Sequence, residues 1–91
     1  MKYNKRTEFI RENRAGSRRK YDLEVHVDTD KADQQGWFEL YDTHTGGQNH
    51  YEEGGLWFDD RKLVDYDGTP CIDDKVLDIL DEWNFNTENM R

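Results

Sequence analysis

The chain has 91 residues, of which 33% are hydrophobic, 37% charged and 13% aromatic, and its formal net charge is −8. That length allows one domain with a small core, while the share of aromatic rings argues against the disorder that high charge alone would suggest. The single cysteine, Cys71, excludes an internal disulfide, and no apolar run approaches membrane-spanning length, so a cytoplasmic protein without membrane contact is expected.

Charge is unevenly placed. Residues 1–20 carry eight bases against Glu8 and Glu12, whereas residues 21–91 carry five bases against nineteen acids. The chain therefore divides into a basic N-terminal arm or short helix, 1–20, and an acidic α+β domain, 21–91. Phe9 and Ile10 stand among charges in the first segment, with Tyr3 a turn or more earlier, and the segment ends at Ala15-Gly16, where glycine suits a helix C-cap. Residues 21–28 then alternate apolar and polar side chains, the period of a strand with one buried face. After a polar loop over 29–36, Trp37-Phe38-Glu39-Leu40-Tyr41-Asp42 resumes an extended pattern, and a hairpin with the preceding strand is the economical pairing.

Residues 43–55 hold Gly46-Gly47 and Gly54-Gly55 and predict a turn with at most a brief strand. Leu56-Trp57-Phe58 and Lys62-Leu63-Val64-Asp65 flank Asp59-Asp60-Arg61, a connection of hairpin length. Beyond the turn at Asp67-Gly68-Thr69-Pro70, Ile72, Val76, Leu80 and Trp83 recur at steps of four, four and three. They predict an amphipathic helix capped near Thr69 or Cys71, with Asp73 and Asp74 in its first turn. The expected fold is α+β: an antiparallel sheet of about four strands with the C-terminal helix packed on one face. Neighbours in a strand point to opposite faces, so Trp37 and Phe38 cannot both lie under the helix, nor can Trp57 and Phe58. The N-terminal segment is expected to cover the second face through Phe9 and Ile10; the alternative is an exposed aromatic patch used for binding.

Catalytic chemistry has little to stand on. Asp65-Tyr66-Asp67-Gly68-Thr69 after a hydrophobic strand resembles the nucleophile motif of haloacid-dehalogenase-like phosphatases. Too few residues follow it for the parallel sheet and downstream motifs of such an enzyme, so it reads as a turn. Calcium-loop spacing is not met, and His26, His44 and His50 show no short spacing for a closed zinc site. No enzyme activity, cofactor, metal or small-molecule substrate is expected.

Charge and rings remain. The acids group as Asp59 and Asp60 in the second hairpin and as Asp74, Asp78, Asp81 and Glu82 along one helix face, where like charges three and four apart oppose helix formation, a cost more readily tolerated if the acids have a use. Such carboxylates can stand in for phosphates and steer a basic partner, with Trp37 or Trp57 as apolar anchors. Together with the run from Gly54 to Gly68 followed by a helix, this resembles the small acidic proteins that bacteriophages and mobile elements direct against host defences, anti-CRISPR and anti-restriction proteins among them. The resemblance implies a non-catalytic, DNA-mimicking inhibitor of a basic nucleic-acid-binding host protein, such as a CRISPR or restriction component, acting in the host cytoplasm; a homodimer is compatible with it. The alternative is a small nucleic-acid-associated protein that grips phosphates through Arg14, Arg18, Arg19 and Lys20.

Overall fold

The computed structural model describes residues 1–12, 14–44, 46–68 and 73–91, with the side chains of Phe9 and Asp73 left aside. Five strands, β1 (Lys2–Glu12), β2 (Arg18–Asp28), β3 (Gly36–Asp42), β4 (Asn49–Asp59) and β5 (Lys62–Tyr66), precede one helix, α1 (Asp73–Glu82), and a 3-10 turn at Glu88–Met90. The strands form one antiparallel sheet in chain order. Each strand pairs with the next, so short local connections suffice throughout.

The expected hairpin of residues 21–28 with 37–42 is present, with Leu23 opposite Leu40 and Val25 opposite Phe38. The second hairpin is present too, closed by Asp60 and Arg61 between β4 and β5, with Asp60 at φ 56. Two expectations change. The N-terminal segment is neither helix nor arm: it is β1, paired along its whole length with β2. Its alternation escapes notice because the positions facing the core include Lys5, Thr7 and Arg11, which are half-buried and paired across from or next to apolar residues of β2. The Lys5 stem can lie on the core while its ammonium reaches Glu82, and the Arg11 guanidinium stacks on Tyr21 and Tyr51. The stretch expected as a turn with a brief strand also extends, since β4 begins at Asn49 and its polar first half pairs with Glu39, Leu40 and Asp42. The sheet therefore has five strands where about four were expected.

One face carries the core. Tyr21, Leu23, Val25 and Val27 of β2, Phe38 and Leu40 of β3, Leu56 of β4 and Leu63 of β5 are buried with Val76, Leu77, Ile79 and Leu80 of α1 and with Phe85. The helical stripe thus packs as its spacing predicts; Ile72 and the cap positions Thr69 and Cys71 lie outside the described residues. Two glycines make room for the largest core ring. A Cβ at Gly54 would sit 2.0 Å from the Asp67 carbonyl oxygen and 2.3 Å from Phe38 Cζ, and one at Gly68 would sit 2.3 Å from the same Cζ. Gly68, expected as turn punctuation, instead helps roof the core.

The segment after α1 is tied to the β4–β5 turn. Asn86 N–H donates to the Arg61 carbonyl (2.8 Å) and Leu63 N–H to the Asn86 carbonyl (2.9 Å). The Arg61 guanidinium donates to the carbonyls of Trp83 and Asn84 and stacks 4.2 Å from the Phe85 ring centre. Tyr3 of β1 completes the cluster at 5.3 Å from both Trp83 and Phe85. Among the described residues, no helix is long and apolar enough to cross a membrane.

Candidate binding face

Antiparallel register places directly paired residues on the same side of a sheet. Three rows therefore cross the face opposite α1: Asn4, His26, Trp37 and Gly55; Arg6, Glu24, Glu39 and Glu53; Glu8, Asp22, Tyr41 and His50. The helix occupies the other face, and among the described residues no further element lies over this one. The expectation that the N-terminal segment covers it through Phe9 and Ile10 is overturned. That segment lies within the sheet as β1, and Ile10 is exposed.

Trp37 lies near the middle of the face. Its indole stacks on the His26 imidazole (centroids 5.0 Å apart, planes 22° apart), and the Lys31 ammonium sits 4.6 Å from the ring centre. Trp57 lies beside it, over Gly55, where a Cβ would come within 2.6 Å of the indole. Because residue 55 has no side chain, the ring can lie against the strand. A hollow of about 330 Å³ opens there, lined by Gln34, Trp37, Glu53, Gly54, Gly55, Trp57 and Asp67. Phe38 and Phe58, the partners of these tryptophans in sequence, belong to the core side. The split of each adjacent ring pair between two faces is thus as strand geometry requires.

Carboxylates surround the rings. Glu24, Glu39 and Glu53 are consecutive across three strands, an arrangement that like-charge repulsion disfavours. Their neighbours compensate in part: the Tyr41 hydroxyl donates to Glu39, and Arg6 donates to Asp22 with Nε at 3.0 Å. Held by Glu39 and by burial, the Tyr41 phenol has its pKa pushed up to about 12. The hydrogen bond and nearby charge of Asp22 likewise strengthen the positive state of Arg6.

The residues singled out from sequence fall into three groups that the fold keeps apart. Trp37 and Trp57 share the open face. Asp74, Asp78, Asp81 and Glu82 are exposed on α1, the helix that packs on the opposite face. They are not a bare carboxylate row: Arg91 bonds Asp78 (3.0 Å) and Asp81 (2.7 Å), Thr87 donates to Asp81 (2.6 Å), and Lys5 reaches Glu82 (2.5 Å). Asp59 and Asp60 lie exposed at the β4–β5 turn. The sequence reading missed the acids that do flank the tryptophans, Glu24, Glu39 and Glu53, because it sought charge clusters along the chain rather than across strands.

The basic residues gather at one end. β3 reaches only as far as Tyr21 of β2, so Arg18, Arg19 and Lys20 extend past it with the β1–β2 turn that carries Arg14. Arg19 bonds Asp42 (2.8 Å) and Arg18 approaches Glu12 (3.8 Å). Asp42 is held below the usual carboxylate range by the His44 backbone N–H and by Arg19. No family model, curated protein or solved structure matches the chain.

Proposed function

We propose that this protein is a non-catalytic binding protein whose open sheet face docks a basic protein surface, with Trp37 and Trp57 as apolar anchors and Glu24, Glu39 and Glu53 as the electrostatic complement. The observation that carries the reading is the placement of two half-buried tryptophans around one hollow, within an acidic field, on the sheet face opposite the helix. Tryptophan is among the residues enriched at interface hot spots, and a polar rim around such anchors is the usual interface anatomy. Charge accelerates capture by a basic partner, and the rings slow its release. Following the resemblance in the sequence, the partner is a nucleic-acid-binding host protein such as a CRISPR or restriction component, whose phosphate-binding groove the carboxylates occupy. The acids of α1, partly neutralised by Arg91 and Lys5, contribute long-range steering rather than direct contact.

The test is affinity capture by the tagged protein from nuclease-treated bacterial lysate. A basic nucleic-acid-binding protein should be retained at moderate salt and released when DNA or RNA is added back. A second reading rests on the projecting β1–β2 end, since a two-stranded ribbon bearing Arg14, Arg18, Arg19 and Lys20 fits the width of a DNA major groove. Retention of nucleic acid itself, with no protein partner, would favour it.

A further inference from the structure

We infer that Glu24, His26 and Glu39 form a binding site for a divalent first-row metal ion, with zinc the best match, on the open face beside Trp37. The ligand atoms of the three side chains all lie within 4.8 Å of one another, and all three residues are half-buried. Zinc holds nitrogen and oxygen ligands at about 2.0–2.2 Å, so ligands sharing one ion sit roughly 3.3 Å apart in a tetrahedral site. Small side-chain rotations close the present spacing to that value. The backbone already fixes the approach: Glu24 and His26 are two apart on β2 and share a face, and Glu39 is the residue directly opposite Glu24 on β3.

Two further observations point to a cation rather than to an ordinary polar surface. Two glutamates lie directly opposite on adjacent strands, and among the described residues the Glu24 carboxylate accepts no hydrogen bond and forms no ion pair; Arg6, its other neighbour, bonds Asp22 instead. The charge of Arg6 acts on Glu24 without a direct bond, so this half-buried carboxylate pair is only partly compensated. Next, His26 Nδ1 donates to Asn4 Oδ1 at 2.6 Å, which leaves Nε2 with its lone pair. An outer hydrogen bond that fixes the tautomer of the ligating imidazole is a recurrent feature of metal sites. Tyr41 acts in the same way on Glu39: it occupies one oxygen and leaves the other. One imidazole and two carboxylates suit zinc better than magnesium or calcium, which prefer all-oxygen shells. Three protein ligands leave at least one position for water or for a side chain of whatever docks on the face.

Calorimetric titration of the metal-stripped protein with zinc chloride, repeated with magnesium chloride, tests the site. The expected result is one zinc per chain and no heat from magnesium. Glu24→Gln and His26→Gln should each weaken zinc binding at least tenfold, and Asn4→Ala, which removes no ligand, about 10- to 100-fold. Thermal melts without zinc guard against misfolding: Glu24→Gln relieves repulsion, so its melting temperature should be no lower than that of the unaltered protein, while its zinc-induced rise should be lost. No zinc binding at submillimolar concentration would overturn the assignment. Affinity unchanged in the Glu24→Gln/Glu39→Gln variant would overturn it too, by placing the ion at His44, His50 or other carboxylates.

Discussion

Phe38 has its place because two residues have no side chain. Gly54 and Gly68 approach its ring from different segments, and a methyl at either would collide with it. Gly54→Ala also meets the Asp67 carbonyl and should cost about 1–3 kcal/mol through forced displacement of packed atoms, read as a lower urea midpoint with an unchanged slope. Asp42 gives a pH signature. Its folded-state pKa is depressed by the His44 backbone N–H and Arg19, so its stabilisation is complete above the ordinary carboxylate range and fades as pH falls through the depressed value. Urea midpoints measured from pH 6 down to pH 2 should fall less steeply in Asp42→Asn than in the unaltered chain. At the alkaline end Tyr41 behaves oppositely: its pKa is pushed up to about 12, above the unfolded value, so the contribution is full below pH 10 and fades as pH rises from there through about 12. Ultraviolet titration should show a late phenolate step that disappears in Tyr41→Phe.

Among the elements, β2 was legible from its strict alternation and α1 from its stripe, because each buries apolar side chains at the period of its own geometry. β1 was not, since Lys5, Thr7 and Arg11 stand at its inward positions and hide the period. The polar half of β4 was hidden for the same reason, with Gly54-Gly55 reading as a turn when Gly54 makes room for Phe38 and Gly55 supports Trp57. The pairing of β1 changes what a truncation would do. Removing residues 1–20 would strip a strand and bare the edge of β2, so a test of the basic end must keep the backbone. Arg14→Gln with Arg18→Gln and Lys20→Gln should leave the melting temperature nearly unchanged, and should abolish nucleic-acid retention only if the second reading holds. α1 is held by its apolar face: Leu80→Ala, at a fully buried position, should cost about 2–5 kcal/mol in chemical denaturation.

At the scale of the molecule, the sequence disclosed the two tryptophans and the acidity but not their arrangement. The local runs it contains, above all Asp74, Asp78, Asp81 and Glu82, lie on the helix that covers the core, while the acids near Trp37 come from three strands. Only Glu24-x-His26, two apart on a predicted strand, carried a local hint of the face. Binding through this face predicts a definite hierarchy in the lysate capture experiment, with protein folding verified by circular dichroism for each variant. Trp57→Ser together with Glu53→Lys should abolish retention of the basic partner, whereas Asp78→Lys together with Glu82→Lys should slow capture and leave the partner bound. Loss of the partner in the helix variant, with full retention in the face variant, would contradict the account and return the binding surface to α1.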